Sequence, residues 1–238
     1  MCTVSVIAVP GGFRLVSNRD EQRTRPSAEF PFAWGSRGIG PLDPAGGGTW
    51  IASRPGLTLC LLNFNPAPSP EPPADAISRG RIIPLLLDCP DLDAVVAGLG
   101  SLDLSRYAPF RLVAVQRRAD SGVRVGEARW DRTGLEWVEH RRLPLVFVSS
   151  GLGDAVVADR IPLFEELVVK AGATPLAQDA YHRHSWADRQ HQSVLMARAD
   201  ARTVSITEVC DTDAGLEMRY SPVHESGLIA ETLLHAAR

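Results

Sequence analysis

The sequence predicts an α+β fold in which helices are layered on antiparallel sheets, and three observations carry that expectation. Segments of strand character come in pairs joined by tight turn signals, as hairpins do. Roughly ten such strands can be read along the chain. Helical segments stand in separate blocks rather than alternating with single strands, so the pattern does not ask for parallel βαβ units. No internal repeat is present.

The first hairpin follows from spacing alone. Cys2–Ala8 and Phe13–Ser17 alternate well enough for strands, and Pro10-Gly11-Gly12 between them is a turn signal. Facing residues of an antiparallel pair keep a constant index sum, which the turn sets. A Pro10-Gly11 loop gives a sum of 21, a three-residue loop 22 and a Gly11-Gly12 loop 23, so Cys2 faces position 19, 20 or 21. Every register delivers the cysteine to Asn18-Arg19-Asp20-Glu21. A second hairpin pairs Gly48–Ser53 with Leu57–Leu62 around Arg54-Pro55-Gly56, and its return strand runs into Asn63-Phe64-Asn65. Pro66 to Pro73 is too proline-rich for a ladder or a helix and reads as an extended loop. Asp75 reads as the N-cap of a helix to about Asp88, bent at Pro84, and a shorter helix runs from Asp91 to about Leu99. Strands are expected at Phe110–Gln116, Val123–Trp130, Leu135–Glu139 and Leu145–Ser149. A helix from Asp154 to about Ala171 stops at Gly172. Strands Ser193–Ala199, Thr203–Val209 and Leu216–Tyr220 precede a terminal helix from Glu225.

The proline segment marks no domain boundary, because the hairpins ahead of it are too small to fold alone. The chain is read as one domain over residues 1–238. Hydrophobic residues make up 45% and charged residues 22%, ordinary for a soluble globular protein. The formal net charge of −3 speaks against a surface for nucleic acid or anionic membrane. No run approaches the roughly 18 apolar residues of a membrane span, and no signal peptide is read at the N-terminus. Cys2, Cys60, Cys89 and Cys210 lie far apart without a Cys-x-x-Cys pair. That spacing suits a reducing cytoplasm rather than a disulfide framework or a zinc site.

Cys2 is the sharpest position. Removal of Met1, which a small second residue permits, leaves a thiol and a free α-amine on one residue. The amine titrates near 7.7–8, about the right range to take the thiol proton directly or through a water. Nucleophile and general base are then combined, the logic of N-terminal-nucleophile enzymes. A carboxylate opposite would hold the amine, and the register arithmetic offers Asp20. The alternative is a buried cysteine that begins a strand. Gly46-Gly47-Gly48-Thr49 lacks the lysine of a phosphate loop and reads as a turn that allows close backbone approach. Asp43 beside it reads as a turn former. His182, His184 and His191 lack a carboxylate or cysteine partner at ligand spacing, so they read as solvated loop residues and no metal is expected. Trp34, Trp50, Trp130, Trp137 and Trp186 read as core or rim packing.

Cys2, Asn18-Arg19-Asp20-Glu21, Arg25-Pro26, Asp43 with Gly47-Gly48-Thr49-Trp50, and Ser78-Arg79-Gly80, taken in order, resemble the NRDE family, also called the transport and Golgi organisation protein 2 family. The resemblance is strong from Cys2 to Gly80 and looser through Ser149 and Ser193–Val209. The family is grouped with the N-terminal-nucleophile hydrolases, so the resemblance implies a four-layer αββα sandwich of two antiparallel sheets flanked by helices. Within that superfamily the chain is similar to bile salt hydrolases and penicillin V acylases. These also begin Met-Cys, carry an Arg…Asp motif on the second strand and have a Leu-Asn-Phe at the end of a later hairpin. Leu62-Asn63-Phe64 matches the last element, which makes Asn63 the candidate oxyanion donor. From the residues alone, Asn63 reads equally as a strand-end cap of the turn into the proline segment.

Two positions depart from the acylase pattern. Ser17 stands where the acylases place their Arg, with Arg19 next to Asp20 instead, and Ser149-Ser150-Gly151 stands where they carry an Asn. Arg189 matches the family's late arginine. The resemblance implies a cysteine hydrolase acting on a non-peptide amide, an N-acyl compound, without a cofactor. Cys2 would attack, its amine would handle the proton, Asp20 would orient the amine and Asn63 would stabilise the oxyanion. Asn18, Arg19, Ser149 and Arg189 would bind substrate. An apolar pocket is expected between Cys2, Asn63 and the proline segment, fit for an acyl chain or a flat ring system. The alternative implied by the same resemblance is a non-enzymatic carrier of haem or of lipid and acyl-CoA. No Cys-x-x-Cys-His is present, so such a haem would be held without covalent attachment.

Overall fold

The computed structural model describes residues 2–35, 38–65, 75–118, 122–230 and 233–237. In chain order its elements are β1 (Cys2–Val9), β2 (Gly12–Gln22), β3 (Glu29–Ala33), β4 (Ile39–Leu42), β5 (Ile51–Arg54) and β6 (Leu57–Asn63). Then come α1 (Ile82–Leu86), α2 (Leu92–Ser101), β7 (Phe110–Arg118), β8 (Gly122–Trp130), β9 (Leu135–His140) and β10 (Leu145–Ser149). The last part holds α3 (Arg160–Phe164), α4 (Pro175–His182), β11 (Ala201–Thr212), β12 (Gly215–Pro222) and β13 (Leu233–Ala237). Among the described residues the strands form two antiparallel sheets, one in the order β10-β1-β2-β11-β12-β13 and one in the order β3-β4-β5-β6-β7-β8-β9.

The alternation of side chains along each strand decides how the sheets stack. Leu57 and Leu59 of β6 face outward with Leu112 and Ala114 of β7, where Ile82, Ile83, Val95 and Leu99 of α1 and α2 cover them. Cys60 and Leu62 face inward and meet Val4, Val6, Phe13 and Leu15 of the other sheet. On that sheet's outer face, Ile7 lies under Phe164, Val168 and Tyr181 from the α3–α4 region. The result is the four-layer αββα sandwich, with β6 apolar on both faces because both are covered.

The hairpin geometry matches the spacing. β1 and β2 join through Pro10-Gly11, and Cys2 pairs with Arg19, the register with index sum 21. Gly11 sits at φ +75°, which glycine adopts without cost. The second hairpin closes on Pro55-Gly56, with Gly56 at φ +86°.

Four expectations need correction. The helix from Asp75 starts only at a 3-10 turn over Arg79–Arg81 and continues as the short α1. Ahead of it the chain is held extended, since the Ile77 N–H donates to the Arg106 carbonyl at 2.9 Å and Asp75 pairs with Arg106. Pro84 falls in the first turn of α1, where the missing N–H costs no helical bond. The long helix from Asp154 is divided into a 3-10 turn at Asp154–Val157, α3, and a π turn at Glu165–Val169. Ser193–Ala199 is not a strand: Leu195, Met196 and Ala197 give their N–H groups to His184, the Thr203 hydroxyl and Gln190. The terminal segment forms β13 on the edge of β12, because a turn at Ser226-Gly227 (Gly227 φ +81°) folds the chain back along that strand. Edge pairing overrides local helix propensity there.

Candidate functional site

Cys2 opens β1, the strand between β2 and β10, and so faces Arg19 on one side and Ser149 on the other. Its backbone N–H donates to Ser149 Oγ at 3.2 Å. Directly opposed residues on antiparallel strands share a face. Cys2 and Arg19 therefore point to one side of the sheet, and Thr3 and Asn18 to the other.

Asn18-Arg19-Asp20-Glu21 is split accordingly. Arg19 and Glu21 line a cavity of about 320 Å³ whose wall also includes Cys2, Trp50, Asn63 and Arg79. Arg19 lies over the Trp50 ring at 4.2 Å from its centroid, and its Nη2 stands 3.5 Å from both Glu21 and Asp43. Arg25 grips Asp43 with two hydrogen bonds of 3.2 and 2.5 Å. The Asp43–Gly48 turn is closed by Gly46 and Gly47 N–H groups on the Asp43 carbonyl. Gly48 packs against the 78–80 segment so tightly that a Cβ on it would lie 2.3 Å from the Gly80 carbonyl oxygen. The close backbone approach read from the glycine run is thus present, and Asp43 serves as both turn former and cavity wall. Trp50 is more than packing: it is the platform under Arg19.

Asn18 and Asp20 take partners on the helix side. Asn18 Nδ2 donates to the His182 and Val194 carbonyls at 2.9 and 2.8 Å, and its Oδ1 meets His182 Nδ1 at 2.8 Å. That assignment makes His182 Nδ1 the donor, so Nε2 accepts from Ser5 Oγ at 2.7 Å. His182 is buried, not solvated. Asp20 is buried with Arg160, whose Nη1 stands 3.5 Å from Oδ2, and Oδ1 accepts from Thr203 Oγ1 at 2.6 Å. Arg160 is fixed in turn by the Thr3 hydroxyl at 2.6 Å and the Gln192 carbonyl at 2.9 Å. Burial pushes the Asp20 carboxyl up, against the pull of Arg160 and the Thr203 hydrogen bond. Asp20 also borders the cavity.

Burial likewise pushes the Cys2 thiol up, the Asp20 carboxylate adds to the rise and Arg19 opposes it. The thiol is therefore protonated at neutral pH, and attack on a carbonyl needs a group that removes its proton. Asn63 ends β6 in the cavity wall, and no hydrogen bond engages its side chain among the described residues.

The structure thus brings Cys2, Asp20, Asn63, Arg19 and Ser149 together. Asn18 lies on the opposite face of the sheet. Arg189 lies outside the described cavity wall, stacked on Trp186 at 4.3 Å and paired with Asp159 at 2.5 Å. The described walls are charged and polar rather than apolar, and Pro66 to Pro73 lie outside the described residues. Sequence reasoning missed Arg160, for which no local signal exists. It also gave no role to Glu21, Arg25 or Arg79, although each stands in a motif it singled out. Among the described residues no group of three or more His, Cys, Asp or Glu side chains is placed to hold a metal ion. No described helix is long and apolar enough to cross a membrane.

A family model described as Transport and Golgi organisation 2 matches residues 1–152, the part of the chain that carries Cys2, the tetrapeptide, Asn63, Arg79 and Ser149. No curated protein matches the chain.

Proposed function

The chain belongs to the Transport and Golgi organisation 2 family, and from that premise we propose that it is a cysteine hydrolase of the N-terminal-nucleophile type that cleaves a non-peptide amide. The observation that carries the reading is the meeting of Cys2 and Asn63 in the wall of one polar cavity. Removal of Met1 turns the Cys2 nitrogen into an amine. Ser149 Oγ, which already accepts from that nitrogen, holds it, and Asp20 in the same cavity wall supplies the carboxylate that orients it.

The amine takes the thiol proton as Sγ bonds to the substrate carbonyl carbon. Asn63 donates to the oxyanion, a contribution of about 2.7–4 kcal/mol for one such donor. Collapse breaks the C–N bond, and the leaving amine receives the proton held by the Cys2 amine. Water, deprotonated by the same amine, then attacks the thioester, releasing the carboxylic acid and restoring the thiol. A protonated, buried thiol fits this scheme, because the base sits on the same residue. The charged walls favour a compact polar amide over an acyl chain or a macrocycle, so the haem or lipid carrier is the weaker reading. Four free cysteines fit a reducing compartment, and we place the protein in the cytoplasm.

Intact-mass measurement and an N-acyl substrate panel test the proposal. The purified chain should lack Met1, and Cys2→Ala should abolish hydrolysis while leaving ligand affinity nearly unchanged. Hydrolysis by a chain that retains Met1 overturns the mechanism, and tight haemin binding with no turnover on any amide overturns the enzyme.

A further inference from the structure

The cavity wall carries three cations, Arg19, Arg25 and Arg79, and three carboxylates, Asp20, Glu21 and Asp43, but Asp20 is turned to a partner outside the wall. Arg19 and Arg25 are matched by Glu21 and Asp43 through the contacts described above. Asp20 is matched by Arg160, behind the cavity. Arg79 remains. It lines the same wall as Cys2, and among the described residues no carboxylate pairs with it. Its one hydrogen bond runs from Nη1 to the Pro109 carbonyl at 2.9 Å, which uses one of five guanidinium N–H groups. Ser78, next in the chain, also lines the cavity and makes no capping bond with its hydroxyl. Both residues are held in place from behind, since the Thr49 N–H donates to the Gly80 carbonyl at 3.0 Å and Gly48 packs against it. Arg79 is half-buried; burial lowers its guanidinium, while Cys2 and Glu21 oppose that fall.

A half-buried guanidinium with N–H groups that no described residue accepts from, beside a hydroxyl without a capping bond and the Cys2 thiol, suits an anion. We propose that Arg79, with the Ser78 hydroxyl, anchors a carboxylate of the substrate beside Cys2. The substrate class is then an amide that itself carries one carboxylate, such as an N-acyl amino acid. The inference rests on reading the Cys2 cavity as the active site and adds its charge preference. One unmatched cation calls for a singly charged ligand, and a volume of about 320 Å³ suits a small one.

The test compares two alkylating reagents on the full chain, iodoacetate and the neutral iodoacetamide. Each forms the same S–C bond and expels iodide, so the ratio of their rates at Cys2 reports recognition of the carboxylate alone. With 2-mercaptoethanol in the same tube as reference, iodoacetate should be favoured at Cys2 by about tenfold, the worth of one charge-assisted hydrogen bond. Arg79→Gln should return the ratio to the reference value and Arg79→Lys should keep part of the preference. Acetate should protect wild-type Cys2 from iodoacetamide better than acetamide does, a measurement that needs no variant to fold. A wild-type ratio equal to the reference, a ratio unchanged in Arg79→Gln, equal protection by the two acetyl probes, or a Cys2 that neither reagent modifies each overturns the anchor. Turnover plays no part here, so failure of the hydrolase reading is seen separately in the mass and substrate-panel experiments.

Discussion

Replacing Asp20 by Asn tests whether the carboxylate is structural, catalytic or both. The side chain keeps its shape and can still accept from Thr203. What it loses is the charge facing Arg160. At 3.5 Å and an effective dielectric constant of about 20, that attraction is worth about 5 kcal/mol. Arg160 stays buried in the variant, so its lost hydration is not recovered, and breaking such a pair from one side costs about 3–5 kcal/mol. For a chain of this length, about 2–4 °C of melting temperature is lost per kcal/mol, which puts the expected fall on the order of 10 °C.

The assay is thermal and urea unfolding of Asp20→Asn, Arg160→Met and the double variant. Removing both charges should recover much of the loss, giving a coupling of about 2 kcal/mol or more between the two sites. If the double variant melts near wild type yet remains inactive, Asp20 acts at the Cys2 amine as well as on Arg160. Additive losses, or an Asp20→Asn penalty below about 1 kcal/mol, would refute the buried-pair reasoning.

Other consequences can be checked alongside. Asn63→Ala should lower kcat by about 10²–10³-fold, with melting changed by less than about 0.5 kcal/mol because no described hydrogen bond is lost; a matching loss in both would mark Asn63 as a cap. Burial, with Arg14, Arg160 and Arg183 adding to it, holds His182 well below the usual imidazole range. The unfolded chain takes up a proton as pH falls through about 6.5 and the folded chain does not, so stability is full above that pH and declines below it by up to about 1.4 kcal/mol per unit. Urea titrations at two pH values should show that decline in wild type and a flatter one in His182→Gln, and equal slopes would contradict the assignment. Gly48→Ala drives a Cβ into the Gly80 carbonyl and should cost about 1–3 kcal/mol, while Gly134→Ala, with open space around it, should leave the melting curve where it is.

Where a signal was local, the sequence carried it to the structure. The Pro-Gly turns placed both hairpins and narrowed the first to three registers, of which the structure takes the one that faces Cys2 with Arg19. The strands that went unread, β3 and β4, contain Pro31, Gly40 and Pro41, residues that interrupt a strand pattern and are tolerated near a sheet edge. α4 was missed although Thr174 caps it by accepting from the Ala177 N–H and Pro175 opens it, a start signal that can be read from sequence. Arg160 is different in kind. Nothing near it in the chain announces a buried cation, because its partners Thr3, Asp20 and Gln192 are brought to it only by the stacking of α3 on the sheet. The polar nature of the cavity was illegible for the same reason: Arg79 comes from a turn that reaches the site through its contact with the Gly48 backbone.

The register also explains how the candidate site is laid out at this end of the sheet. Because side chains alternate, Asn18-Arg19-Asp20-Glu21 is two interleaved pairs rather than one cluster. Asn18 and Asp20 are gripped by His182, Val194, Thr203 and Arg160, all distant in sequence, while Arg19 and Glu21 are left for the cavity. The first pair locks the strand end that presents the second. A slip of one residue in the first hairpin would exchange the pairs, turning Arg19 and Glu21 toward the helix layer. The same slip would turn Asn18 and Asp20 toward the cavity. The four residues must therefore stand at fixed spacing from Cys2, and the two-residue turn at Pro10-Gly11 is what holds that spacing. The proposed nucleophile would need such rigid support, and here the support is drawn from the helix layer while Cys2, Arg19 and Glu21 face away from it.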